Sequence, residues 1–190
     1  YFIPILLLGI LPWIVTLFDA LIAAVKRERT REFDATLFLL IWAGLIFVFF
    51  SASGSKLPSY ILPIFPALAL LMGARLAEIR GRTLALQLLP IAVLALAGLW
   101  GAQFTERLAS AAIPAELYRA QTPWLYAAAA ALLVGSVIAI VFGWRGKTHA
   151  AIIVAAFAGL ITTQLAVTSE DALSPAHSTY HLVKKRSEEH

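Results

Sequence analysis

Six stretches of almost uninterrupted apolar residues, separated by short polar or charged connections, dominate this chain: Phe2–Val25, Ala35–Phe50, Ile61–Arg75, Leu84–Gly101, Trp124–Phe142 and Ala150–Val167. A bilayer core is crossed by roughly 20 apolar helical residues, within a range of about 17–25, and each stretch meets or approaches that length. Strands are excluded, because an open sheet edge cannot satisfy its backbone polar groups in lipid. The expectation is all-α: a polytopic transmembrane helix bundle of about six spans. With 61% hydrophobic and 14% charged residues, the chain departs from the soluble norm of about half apolar and a quarter charged. Its lack of cysteine removes disulfides and thiolate metal sites. Tyr1 stands inside an apolar run with no charged segment before it. No signal peptide is therefore read, and a piece of a longer protein is expected.

The connections alternate in charge. Lys26, Arg27, Arg29 and Arg31 follow the first stretch, Arg75, Arg80 and Arg82 the third, and Arg145 and Lys147 the fifth, which puts nine of the 15 basic residues on one side. Lys56, Arg107, Arg119, Lys184, Lys185 and Arg186 lie on the other. Short loops rich in Lys and Arg stay cytoplasmic. Tyr1, Ser51–Tyr60, Gln103–Pro123 and the C-terminal tail are therefore expected outside. Residues 1–168 form the transmembrane region in this reading, with 51–60 and 102–123 as periplasmic loops. Residues 169–190 begin a periplasmic domain. The same bias explains the net charge of +4 without a nucleic-acid partner. Trp100, Trp124, Tyr126 and Trp144 fall at span ends, as an interfacial aromatic belt requires.

The segment Ser51-Ala-Ser-Gly-Ser-Lys-Leu-Pro-Ser-Tyr60 and the Ile-Leu-Pro-Ile-Phe-Pro66 after it carry the chemistry. Ala35–Phe50 rises only about 24 Å as a helix, less than the core thickness of about 30 Å, so part of this polar segment should dip toward the membrane. Non-helical backbone at that depth survives only against protein or a watery cavity. Pro58, Pro63 and Pro66 each lack an N–H, and Pro63 suits the first turn of the third span. A cation at Lys56, hydroxyls at Ser53, Ser55, Ser59 and Tyr60, and a helix start together suit a phosphate. The plainer alternative has Lys56 snorkelling to the headgroups, with the serines as interface filler.

Residue order adds to this. Phe49-Phe-Ser-Ala-Ser-Gly-Ser-Lys-Leu-Pro-Ser-Tyr-Ile-Leu-Pro-Ile-Phe-Pro-Ala-Leu-Ala-Leu-Leu71 resembles the signature of the ArnT-like lipid A aminoarabinose transferases. These belong to the wider family 39 of polyprenyl- and dolichyl-phosphate-sugar glycosyltransferases with the GT-C fold. Leu8-Gly-Ile-Leu-Pro-Trp13 and Leu173-Ser-Pro-Ala-His-Ser178 are weaker echoes in the same order. The resemblance implies transfer of a sugar from a polyprenyl (undecaprenyl) phosphate carrier to an envelope acceptor, lipid A foremost, at the bacterial inner membrane. It places the chain in the C-terminal half of such an enzyme. It implies that Lys56 and Tyr60 meet the carrier phosphate, with Ser53, Ser55 and Ser59 as weaker contributors. The family's catalytic carboxylate lies in an earlier periplasmic loop with no counterpart here, so no catalytic residue is assigned and the chain alone is expected to be inactive. A divalent metal stays open, with no ligand set in this chain.

Other residues carry less. Asp19, inside the first stretch, is expected to reach the interface or Arg27 and its neighbours; Gln87 and Gln164 are expected to be structural. His149, His177, His181 and His190 show no metal-ligand spacing with carboxylates. Phe104, Leu108 and Ala112 fall at helical spacing, so the Gln103–Pro123 loop is either an interfacial helix, with guidance of the lipid acceptor as its function, or a plain linker. Gly135, Ala139 and Gly143, and likewise Ala69, Gly73 and Ala77, form stripes of small residues that suit close packing of helices within the chain. The rival reading is a segment of a secondary transporter or flippase, which would also have broken helices around a cavity. Few ionisable groups lie within the stretches and no internal repeat is visible, which argues against it.

Overall fold

The structure, a computed structural model, describes residues 2–28, 33–54, 57–108 and 115–171. Among these the chain is helical and without strands: α1 Phe2–Gly9, α2 Ile14–Lys26, α3 Ala35–Ala52, α4 Ile64–Glu78, α5 Gly81–Ala102, α6 Ala115–Trp144 and α7 Thr148–Asp171. Short 3-10 turns occupy Pro58–Ile61 and Thr105–Leu108. The expected all-α polytopic membrane fold is borne out.

Helix ends follow local chemistry. Asp34 caps α3, its carboxylate accepting from the N–H of Thr36 at 2.9 Å and of Leu37 at 3.1 Å, which satisfies two donors of the first turn. At the end of α6, Gly146 takes φ +73°. Its N–H meets the Gly143 carbonyl while that of Lys147 meets Phe142, the paired arrangement that closes a helix on a left-handed glycine. Pro66 sits in the first turn of α4, where its missing N–H costs nothing; Pro63, expected there, is the residue just before the helix.

Among the described residues, the expected count of about six spans comes out lower by length. α3, α5, α6 and the α7 segment Thr148–Glu170 are long and apolar enough to cross a bilayer. α1 and α2 together make a fifth only as a broken pair, bent by 105°, instead of the continuous helix expected over Phe2–Val25. Pro12, which cannot donate, lies in the break, and local turns hold it, with Leu11 N–H on Leu8 O and Trp13 N–H on Ile10 O. The expected third span is α4, whose 15 residues rise about 22 Å.

The chain divides into two units. One comprises Tyr1–Leu88 with Ala139–Ile152, the other Leu89–Ile138 with Ile153–His190. In the first, α4 packs on both α2 and α3, and Leu17, Ala43, Ile61, Ile64 and Leu68 are buried in one cluster. The start of α5 presses against the end of α6: a Cβ on Gly81 would stand 2.7 Å from the Gly143 carbonyl oxygen. In the second unit, a Cβ on Gly135 would collide with that of Ala158, and Thr162 Oγ1 donates to the Ala128 carbonyl at 3.2 Å. The Gly135–Ala139–Gly143 stripe therefore packs internally as expected. The Ala69–Gly73–Ala77 stripe does not: all three positions are exposed, and nothing lies within 4 Å of a Cβ at Gly73.

Large apolar side chains cover the outside, among them Ile41, Leu45, Val48, Phe49, Val93 and Leu160. Water would not tolerate so wide an apolar surface. Together with the helix lengths, this makes the chain a multi-pass membrane protein. Trp100 and Trp144 are exposed at helix ends, as an interfacial belt requires, whereas Trp124 and Tyr126, also exposed, stand inside α6, which begins earlier than the expected span, at Ala115.

Candidate functional site

The polar segment after α3 is built by a stop, an excursion and a docked turn. α3 ends where Ser53 turns extended, with φ −66° and ψ 142°; its N–H still reaches the Phe49 carbonyl at 3.1 Å. Ser55 and Lys56 lie outside the described residues. The chain re-enters at Leu57, also extended. Pro58 then opens the 3-10 turn from its first position, where a locked φ is an advantage. Tyr60 N–H bonds to Leu57 O at 3.1 Å, and Leu62 N–H to Ser59 O at 3.2 Å.

Packing fixes this turn. Ile61 is fully buried, a burial worth about 1.5–3 kcal/mol, and the turn lies against both α1 and α3. The Tyr60 ring sits 5.3 Å from that of Phe50, which meets Phe49 edge-on at 5.1 Å. Tyr60 is half-buried. No hydrogen bond occupies its hydroxyl among the described residues, which leaves an anchored phenol with a free donor. Ser59 beside it is exposed and Ser53 half-exposed. Of the five expected residues, then, Tyr60 and Ser59 share the docked turn and Ser53 closes the helix that Tyr60 packs on.

A second polar constellation escaped the sequence reading in its main contact. Asp19 does not turn to Arg27. Arg75, from the last turn of α4, grips it with Nε at 2.9 Å and a terminal nitrogen at 3.3 Å. Gln87 of α5 donates to the same carboxylate at 2.8 Å and accepts from Thr16 Oγ1 at 2.8 Å. Three helices are thereby tied by one half-buried carboxylate whose charge is matched and hydrogen-bonded, which offsets the cost of its partial burial. Arg27 instead points a terminal nitrogen at Thr36 Oγ1, 3.5 Å away. The spacing of Thr16 and Asp19, three apart on one helix face, was the available signal; Arg75 lies 56 residues from Asp19. Arg75 stands about 16 Å along α4 from its start, so this network does not belong to the Tyr60 turn.

Of the Gln103–Pro123 loop, Thr105–Leu108 forms a 3-10 turn and the residues from Ala115 on belong to α6; Ala112 lies outside the described residues. There, Glu106 pairs with Arg119 at 3.0 Å. Among the described residues no group of three or more His, Asp and Glu gathers as a metal would require. His177, His181 and His190 lie outside them.

No protein-family profile matches the chain. Individual relatives do. The undecaprenyl phosphate-alpha-4-amino-4-deoxy-L-arabinose arabinosyl transferase 1 of Proteus mirabilis is 42% identical over 82 residues, covering 43% of this chain and 14% of that protein. Transferase 2 of the same organism is 47% identical over 72 residues, covering 38% and 13%. Among solved structures, ArnT from Cupriavidus metallidurans bound to undecaprenyl phosphate superposes with a TM-score of 0.79 at 33% identity, over 93% of this chain and 32% of that one. Its apo form gives 0.78 at 34%, over 91% and 31%. The chain thus spans about a third of the length of the solved structures it matches. The resemblance read from Phe49–Leu71 is borne out in sequence and, over nearly the whole chain, in fold.

Proposed function

We propose that this chain serves a membrane glycosyltransferase reaction in which a sugar moves from a polyprenyl (undecaprenyl) phosphate carrier to an envelope acceptor, lipid A, at the bacterial inner membrane. The observation that carries the reading is the superposition over 93% of the chain on a transferase structure bound to undecaprenyl phosphate. The relatives named as aminoarabinose transferases supply the sugar class.

Within that reaction the chain's part is to hold the carrier phosphate. When the glycosidic C–O bond breaks, its electron pair stays on the phosphate oxygen, so the leaving group gains negative charge. A fixed cation and hydrogen-bond donors aimed at that oxygen lower the barrier. Lys56 supplies the cation and Tyr60 Oη a donor from an anchored ring. Ser53, Ser55 and Ser59 are further donors. The packing of Tyr60 on Phe50 supports this assignment, since a donor preorganised by an apolar contact loses little freedom when it binds. The orientation puts the Ser51–Tyr60 segment and the residues after 168 on the periplasmic side. Loop charge supports it, and so does a cavity of about 290 Å³: its lining joins Lys26 and Arg27 to Arg75 and Glu78, as one cytoplasmic end of α2 and α4 requires.

Undecaprenyl phosphate binding to the purified chain in phosphatidylcholine nanodiscs tests the assignment. Removing one member of a desolvated charge pair costs about 2–5 kcal/mol, so Lys56→Met should weaken binding by about 30-fold or more. Wild-type affinity in Lys56→Met would leave that lysine as a headgroup anchor.

A further inference from the structure

We propose that Arg80, Arg82 and Arg145 form a seat for the headgroup phosphate of an anionic phospholipid in the leaflet where α5 begins and α6 ends. The three line a cavity of about 520 Å³ together with Gly81, Gly143 and Trp144. That volume falls within the range of about 300–1,000 Å³ typical of small-molecule sites.

Three observations select the ligand. No Asp or Glu lines the cavity, and none of the three guanidinium groups makes an ion pair or hydrogen bond among the described residues. The neighbouring cavity between α2 and α4 is different: its Arg75 is already matched by Asp19 at 2.9 Å and approached by Glu78 at 3.7 Å. Two comparable basic clusters therefore differ in whether the protein neutralises them. Position matters next. α5 and α6 both have the length and hydropathy to cross a bilayer, and exposed Trp144 lies at the end of α6, so the cavity sits at headgroup depth. The counter-charge available there is a lipid phosphate, and basic pockets between spans are the usual place to hold one. Finally, the seat is rigid. A Cβ on Gly143 would lie 2.6 Å from the Gly81 carbonyl oxygen, so the two helix ends meet backbone to backbone. This spares part of the ordering cost of a bidentate guanidinium–phosphate contact.

The positive-inside rule alone asks only for basic charge in these loops, wherever it stands. The test must separate charge from placement. Native mass spectrometry of the full chain, released from nanodiscs of equal phosphatidylglycerol and phosphatidylcholine, reads the retained lipid. Wild type should keep phosphatidylglycerol in preference. Arg80→Gln with Arg145→Gln should lower that retention about tenfold or more, at about 1 kcal/mol per basic residue, while Arg80→Lys with Arg145→Lys keeps most of it. Lys26→Gln with Arg27→Gln removes the same charge elsewhere and should leave retention unchanged; an equal loss there overturns the proposal. So does wild-type retention without preference for phosphatidylglycerol, or displacement of the lipid by millimolar inorganic phosphate, which would make this a site for a soluble anion. Single Arg145→Gln, at an exposed position, repeats the measurement if the double variant misfolds, and full retention in it likewise counts against the seat.

Discussion

At the scale of residues, two polar groups are held in place by apolar or helical neighbours, and they answer to different tests. Tyr60 is fixed through its ring against Phe50 while its hydroxyl stays unoccupied among the described residues. Tyr60→Phe should leave stability unchanged and weaken undecaprenyl phosphate binding by the value of one neutral hydrogen bond, about 0.5–1.5 kcal/mol, well below the effect of Lys56→Met. Ser51, exposed in the last turn of α3, should be silent as Ala in the same titration. Asp19 and Arg75 form the second case. Their side chains are just over a quarter exposed, between the surface pairs worth about 0–1 kcal/mol and the buried ones that cost about 3–5 when broken. Arg75→Met should therefore lower unfolding free energy by about 1–3 kcal/mol, and adding Asp19→Asn should restore part of it. Additive losses in that double-mutant cycle would deny the coupling.

At the scale of elements, the helices divide by what their small residues touch. Gly135 on α6 meets Ala158 with no room for a methyl, so Gly135→Val should overpack the contact and cost about 1–3 kcal/mol, seen as a lowered midpoint in thermal unfolding in detergent. Gly44 on α3 has nothing within 4 Å of a Cβ. Gly44→Ala should stabilise by about 0.4–1 kcal/mol through the unfolded chain alone. An equal response of the two sites would mean that α6 and α7 do not meet as described. The broken pair of α1 and α2 shows why an apolar run does not guarantee a straight span. Hydropathy over Phe2–Val25 is continuous, but Pro12 interrupts the backbone ladder, and the local turns about it settle into a 105° bend.

At the scale of the whole molecule, the proposed orientation rests on loop charge. The chain has no cysteine, so single cysteines at Ser55, Ala111 and Ser174 should react with an impermeant thiol reagent added to cells opened only to the periplasm. Cysteines at Thr30 and His149 should stay unlabelled until the inner membrane is permeabilised. Labelling of Thr30→Cys before that step would invert the topology and place the Tyr60 turn on the wrong side for an outward-facing carrier sugar.

The sequence by itself determined the class of solvent, the helical fold and the charge alternation. Each depends on composition or spacing within a few turns of one helix. Long apolar runs have few other solutions in lipid, and the order of residues from Phe49 to Leu71 is specific enough to point to the aminoarabinose transferases. Tertiary structure alone decided what those residues meet. Asp19 takes Arg75 in place of Arg27, and one small-residue stripe packs while the other faces outward. Three arginines, two at the start of α5 and one just after α6, line one cavity. All three outcomes join positions far apart in the chain, and a choice among several chemically acceptable partners is made by which helix ends pack together. Neither hydropathy nor local spacing encodes that choice.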